Sequence, residues 1–261
     1  MTSADDVIFE LNNVTHSYGA GPVLTNVNLQ FRAGERVALA GPSGAGKSTL
    51  LGLLNGALRP SQGTLRVLGR DLASLPPANV RRLQRQIGSI YQQLHLVDNL
   101  RVIHNVNAGR LGYWPLWKSI LSLVWPLETE TAAEALAQVG IAEKLYERTD
   151  SLSGGQQQRV AIARVLAQNP AAIIADEPIS NIDPERSREI MDLLRDLCVR
   201  LGKTLVVSLH AIEFARSHFQ RVVGLRAGCI VFDLPPAELT PDVIESLYRI
   251  DKGNLSQPEL H

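Results

Sequence analysis

The segment Gly41-Pro42-Ser43-Gly44-Ala45-Gly46-Lys47-Ser48 constrains this chain more than any other. It matches G-x-x-x-x-G-K-[ST] at every fixed position, follows the apolar run Arg36–Ala40 and opens a helical pattern near Lys47. A strand before the loop and a helix after it is the context in which this pattern binds phosphate. Glycines let backbone N–H groups converge on phosphate oxygens, and the helix N-terminus adds its dipole. Lys47 is placed to neutralise the β- and γ-phosphates, and the Ser48 hydroxyl to ligate Mg²⁺, with Thr49 next in the first turn. A Gly/Ser-rich turn that merely joins strand to helix is the competing reading, and the intact context counts against it. A serine-hydrolase elbow is excluded, because Gly41-Pro42-Ser43-Gly44-Ala45 lacks the final glycine of G-x-S-x-G.

Around that loop, short apolar runs alternate with longer helical patterns, which predicts an α/β fold with a largely parallel sheet. Strands are expected at Val7–Glu10, Val27–Phe31, Arg36–Ala40, Thr64–Val67, Gly88–Tyr91, Ala171–Ala175, Thr204–Ser208, Val222–Leu225 and Ile230–Phe232. Turn signals at Gly19-Ala20-Gly21 and Ala33-Gly34 make the first few read as antiparallel. Helices are expected at Lys47–Asn55, Asn79–Arg85, Glu130–Val139, Gly155–Gln168, Pro184–Arg200 and Ala211–Ser217. Residues 93–155 show no strand pattern and predict an inserted helical subdomain. The whole chain, 1–261, then reads as one domain, with 1–92 and 156–235 forming the α/β core and an antiparallel β lobe. Residues 236–261 are left as a C-terminal helix and tail, frayed after Lys252.

Apolar residues make up 45% of the 261, enough for a sizeable core. Lys and Arg together number 26, as do Asp and Glu, so the zero net charge gives no general grip on nucleic acid. Cys198 and Cys229 are too few for a disulfide framework or a zinc cluster and fit a reducing compartment. The most apolar stretch, Leu116 to Leu127, is interrupted by Lys118 and Pro126 and is far shorter than the roughly 20 residues of a spanning helix. Met1 to Leu11 carries Asp5, Asp6 and Glu10 and is no signal peptide.

Ala171-Ala172-Ile173-Ile174-Ala175-Asp176-Glu177 is an apolar strand that ends in two acids. Alone, such a pair is more often surface charge. Downstream of a phosphate loop, Asp176 can hold the Mg²⁺ shell and Glu177 can polarise an attacking water.

Leu152-Ser153-Gly154-Gly155-Gln156, followed by Gln157-Gln158-Arg159 and a helix, resembles the signature motif of ATP-binding-cassette (ABC) proteins. Ser-Gly-Gly before a helix is also an ordinary N-cap; here it stands between phosphate loop and Asp-Glu strand, in the family's order. The resemblance covers nearly the whole chain and implies a P-loop NTPase with a RecA-like core. It further implies that Gln92 is the Q-loop glutamine touching Mg²⁺ and the attacking water, with Gln93 as the competing register. Ser180-Asn181-Ile182-Asp183 resembles the D-loop, where Ile182 and Asn181 depart from the usual residues. His210, 33 residues after Glu177, resembles the switch histidine at the γ-phosphate. Tyr18 resembles the aromatic that stacks on adenine; packing beside a turn is its plainer role.

In this family one subunit's phosphate loop and another's signature enclose the same ATP, so a homodimer is implied. Asn105-Val106-Asn107-Ala108-Gly109-Arg110-Leu111-Gly112, the insert after it, and the runs Gln156–Arg164, Ala175–Pro178 and Leu209-His210 are similar to phosphonate-type uptake ATPases. That implies transmembrane permease subunits, an external substrate-binding protein and a peripheral place on the cytoplasmic face of the cell membrane. A polar amino-acid importer, an exporter, or a soluble cassette acting on nucleic acid are the rivals; the last usually carries a coiled-coil insert or two cassettes. All three tryptophans fall between Tyr113 and Trp125. They are expected either beside the permease docking surface or in the core of the helical subdomain.

Overall fold

The computed structural model describes residues 7–248 other than Ala20 and Asn181, without the side chains of Leu123 and Val124. The tail expected after Lys252 lies outside the described residues. Ten strands run β1 (Val7–Ser17), β2 (Pro22–Arg32), β3 (Arg36–Ala40), β4 (Gln62–Val67), β5 (Arg70–Asp71), β6 (Ile87–Ile90), β7 (Ala172–Asp176), β8 (Thr204–Leu209), β9 (Arg221–Arg226) and β10 (Cys229–Leu234). The helices are α1 (Lys47–Leu54), α2 (Pro77–Gln84), α3 (Val102–Asn107), α4 (Leu116–Val124), α5 (Thr129–Gln138), α6 (Gly154–Gln168), α7 (Pro184–Leu201), α8 (Ile212–His218) and α9 (Pro241–Tyr248).

Two sheets form. A four-stranded antiparallel sheet has the order β2-β1-β4-β5. A six-stranded sheet has the order β10-β9-β3-β8-β7-β6, parallel from β9 to β6, with β10 antiparallel at its edge. The sequence suggested that the early strands run antiparallel. For β3 that is corrected: the Ala33-Gly34 turn carries the chain out of the first sheet, and β3 pairs in parallel with β8 and β9. The reason is burial. β8 (Thr-Leu-Val-Val-Ser-Leu) is buried at every position and needs a neighbour on each side, as only an interior strand of a covered sheet has.

One apolar cluster lies between the sheets and takes in Phe9, Phe31, Leu65 and the α1 residues Leu50, Leu53 and Leu54. The other lies on the far side of the core sheet, joining β7 and β8 to α3, α5, α6 and α7 through residues such as Val106, Leu136, Val160 and Leu194. The carboxyl ends of β3, β8 and β7, adjacent in the core sheet, therefore open at one rim between two filled cores. That rim is where ligands bind in open α/β sheets.

The run Asn105–Gly112 has structural work of its own. Asn105 bridges Val97 and Thr149: its Oδ1 accepts from Val97 N at 2.8 Å and its Nδ2 donates to Thr149 Oγ1 at 2.8 Å. Gly109 packs so tightly on α6 that a Cβ would come within 2.1 Å of Arg164 O. Asn107 Nδ2 donates to Leu127 O and so anchors the end of the insert.

Candidate nucleotide site

The phosphate loop is shaped by close approach. A Cβ on Gly41 would sit 2.1 Å from Leu225 O, and one on Gly46 would sit 2.7 Å from Leu24 Cδ2. Gly46 also holds φ +103°, a left-handed conformation that glycine adopts without strain. From behind, Gly228 N donates to Ala45 O at 3.1 Å, so the β9–β10 turn props the loop. Lys47 is 5% exposed, and its Nζ donates to Gly41 O at 2.7 Å and Pro42 O at 3.1 Å. Burial pushes its pKa below the ordinary lysine value, while the charges of Glu177 and Asp176 push back. A cation folded onto its own loop and facing two carboxylates is poised for a polyanion with a divalent cation. Pro42 is half-buried, Ser43, Gly44 and Ser48 are exposed on the loop, and Thr49 is buried beneath it.

Asp176 and Glu177 part at the tip of β7. Asp176 lies opposite Ser208 in the β7–β8 register, and Ser208 Oγ donates to Asp176 Oδ1 at 2.6 Å. The same hydroxyl accepts from Glu177 N at 2.9 Å. Glu177 takes φ +46°, a conformation that costs a non-glycine residue energy. Its Oε1 lies 2.5 Å from His210 Nε2, just past the end of β8, in hydrogen-bond contact. Lys47, Asp176, Glu177 and His210 thus meet at one rim. Ser208 went unnoticed in the sequence. Its only signal was a hydroxyl near the carboxyl end of an apolar run, Leu205-Val206-Val207.

The residues present suit Mg²⁺ bound with a nucleotide. No group of three or more His, Cys, Asp and Glu side chains among the described residues could hold a metal alone. Magnesium asks for less: one or two carboxylates complete its shell with substrate phosphates and water. Asp176 and the Ser48 hydroxyl offer that donor set.

The other expected residues stand apart. Tyr18 is 62% exposed, with its hydroxyl 3.5 Å from Thr49 Oγ1, so its ring stands open beside the loop. Gln92 and Gln93 are both exposed in the segment after β6, and no described hydrogen bond carries either to the rim. That segment is held by Arg164, whose guanidinium donates to Leu94 O at 2.8 Å and His95 O at 2.9 Å. Burial pushes the Arg164 pKa below the ordinary arginine value. Ser153 caps α6 in a reciprocal box with Gln156: Gln156 N donates to Ser153 Oγ, and Ser153 N donates to Gln156 Oε1. Ser153 and Gly154 are exposed, with Gly155 half-buried, and no described hydrogen bond links 153–156 to the phosphate loop. Gln158 ties the same helix to the loop after Glu177, donating to Pro178 O at 2.7 Å. Asp183 is exposed and caps α7 through Arg186 N at 3.0 Å; its neighbour Asn181 lies outside the described residues.

The tryptophans divide between the two expectations. Trp114 is 9% exposed and its indole N–H donates to Glu128 Oε1 at 2.9 Å, a core role. Trp117 and Trp125 are exposed.

Residues 24–180 match the family model described as ABC transporter. The chain is 45% identical over 251 residues to a phosphonates import ATP-binding protein of Lactobacillus delbrueckii subsp. bulgaricus, covering 96% of this chain and 98% of that one. It is 48% identical over 225 residues to a protein of the same description from Pseudomonas aeruginosa, covering 86% of this chain and 84% of the relative. Among solved structures, it resembles cbiO1 of Clostridium perfringens, part of an ABC transporter complex, at TM-score 0.78 and 29% identity, over 89% of this chain and 90% of that one. It also resembles a dimeric ATP-binding cassette in a post-hydrolysis state bound to ADP and Pi, at TM-score 0.73 and 32% identity, over 87% of this chain and 98% of that one.

Proposed function

This chain belongs to the ABC transporter family of ATP-binding proteins, and on that premise we propose that it powers uptake of phosphonates or a related phosphorus oxyanion. It is an ATP hydrolase that uses ATP with Mg²⁺. The observation that carries the chemistry is the convergence of Lys47, Asp176, Ser208, Glu177 and His210 at adjacent strand ends. Lys47 binds the phosphates, and the Ser48 hydroxyl and Asp176 hold the ion. The ion, when bound, neutralises charge on the transferring phosphoryl group. Glu177 accepts the proton of the attacking water, and His210 steadies that carboxylate. Ser208 fixes the angle between the two acids. Tyr18 supplies a face for adenine, and Gln92 reaches toward the attacking water from the exposed segment after β6.

The exposed Ser153-Gly154-Gly155 end of α6 supports a second half of the site offered to another subunit, with Asp183 beside it. Two chains then enclose two ATP molecules, and hydrolysis parts them. A groove of about 610 Å³, lined by Arg81, Arg85, Tyr91, Tyr113 and Arg164 among others, lies between the segment after β6 and the inserted helices. We place the membrane subunit there, at the cytoplasmic face of the membrane, with an external binding protein choosing the compound. Arg164, on α6, lines that groove, so the groove and the signature end share one helix. No helix among the described residues is long and apolar enough to cross a membrane. Expressing the chain with its candidate membrane subunits tests the reading. Uptake of a labelled phosphonate, lost with Glu177→Gln, is expected; an intact complex that moves no phosphorus oxyanion contradicts the substrate.

A further inference from the structure

Helix α4 is built inside out. Lys118, Ser119 and Ser122 turn toward the protein: Lys118 Nζ donates to Glu128 Oε1 at 2.6 Å and sits 4.8 Å from the Trp114 ring centre, while Ser122 is buried. Its opposite face carries Leu116 at 77% exposure, Trp117 at 67%, Ile120 at 58% and Leu121 at 46%, and Trp125 at the C-cap reaches 68%. At about 100° per residue the four helical positions fall within one arc of roughly 140°. A surface helix normally shows the reverse arrangement. An apolar face of this extent marks contact with an apolar partner or medium.

We propose that the outward face of α4 seats in the headgroup region of an anionic membrane surface. Two features favour lipid over a protein partner, and a third helps binding of either kind. The face is one convex helix, and the only polar side-chain atoms on it are the indole N–H groups of Trp117 and Trp125, which suit the headgroup level. The charge beneath that face is also complementary: no carboxylate occurs from Asn99 to Leu127, and the cations there, though turned inward and partly paired with Glu128, outnumber that acid. Arg110, Lys118 and Arg85 gather around Tyr113, Trp114 and the single acid Glu128. Finally, the helix is pre-set. Burial alone would raise the Glu128 carboxyl, but hydrogen bonds from Lys118 and Trp114 and the charge of Arg110 hold it below the usual carboxylate range. That clamp fixes the base of α4, so little order has to be gained on binding.

The contact is an adhesion additional to the membrane subunit proposed above, and its test needs no such subunit. Purified full-length chain is floated with vesicles of phosphatidylglycerol and phosphatidylethanolamine, or of phosphatidylcholine alone. The wild type is expected to float with the anionic vesicles, with a blue shift in tryptophan emission, and much less with the neutral ones. Trp117→Ser/Trp125→Ser is expected to bind about tenfold more weakly or worse, with unchanged ATPase in solution, while Trp117→Phe/Trp125→Phe retains binding. A wild type that ignores anionic vesicles, or a serine variant that floats equally well, overturns the proposal. Loss of membrane-subunit assembly or of self-association in the serine variant, with no vesicle binding by the wild type, assigns the face to a protein partner and overturns it too.

Discussion

The phosphate loop and the start of α6, the two ends proposed to face nucleotide, are built in opposite ways. At the phosphate loop the charged side chains already have partners within the subunit: Lys47 lies on the loop carbonyls, Asp176 on Ser208, Glu177 on His210. At the start of α6 the serine and first glycine are exposed, and the serine oxygen serves only its own helix. The first end is preorganised, so charge stabilisation there requires no rearrangement at the moment of reaction. The second presents a dipole and the N–H groups of its first turn, of which the described hydrogen bonds take up only those of Gln156 and Gln157, both on Ser153. On the two-chain reading proposed above, such a half-site acquires its use when a second chain brings a phosphate loop to it. The inner connection between the two ends is short, from Gln158 to Pro178 O and on to Glu177.

Substitutions at the preorganised end are expected to be severe. Lys47→Ala removes the cation that meets the phosphates, and both ATP binding and turnover should fall, turnover by about a thousandfold or more. Near-normal hydrolysis by the purified variant would remove Lys47 from that role. Glu177→Gln keeps the shape but cannot accept a proton, so turnover should drop at least about a hundredfold while ATP still binds. Gel filtration with MgATP should then show a dimer that persists, and a persistent monomer would weaken the two-chain picture. Ser208→Ala is milder. It removes the hydroxyl's bonds to Asp176 Oδ1 and Glu177 N; losing a hydrogen bond to a charged group costs about 1.5–3 kcal/mol, so kcat should fall about tenfold to a hundredfold with ATP affinity nearly unchanged. An equal loss in affinity would make Ser208 a binding residue and not a positioning one.

Legibility in the sequence depended on contiguity. The phosphate loop and the Asp-Glu strand end are contiguous segments that suggest their chemistry from the residues, whereas the signature rested on family resemblance, since Ser-Gly-Gly alone reads as an N-cap. Ser208 could not be read, because its partner is set by β7–β8 register and not by sequence distance. The strands β1 and β2 run longer than their apolar runs suggested. Asn13 and Asn26 take left-handed φ near +51°, and register shifts there let polar residues continue a strand past an interrupted pattern. Helices α3 and α4 were absent from the expected elements for different reasons. The first is only one and a half turns long. The second shows its apolar side outward, so a pattern read as interior or docking surface divides between Trp114 and Trp117. Arg164 was visible only as part of a similar run, and its grip on Leu94 and His95 needed the fold.

The comparison between the two ends is tested most directly by mixing crippled chains. Lys47→Ala spoils the phosphate-loop half and Ser153→Arg the signature half, and each variant alone should be nearly inactive. In a heterodimer of the two, both defects fall in the same composite site and the other site is whole. With heterodimers demonstrated by differential tagging, ATPase activity should return to a substantial fraction of the wild-type rate per dimer. Activity no higher than that of either variant alone would contradict a site shared between two chains.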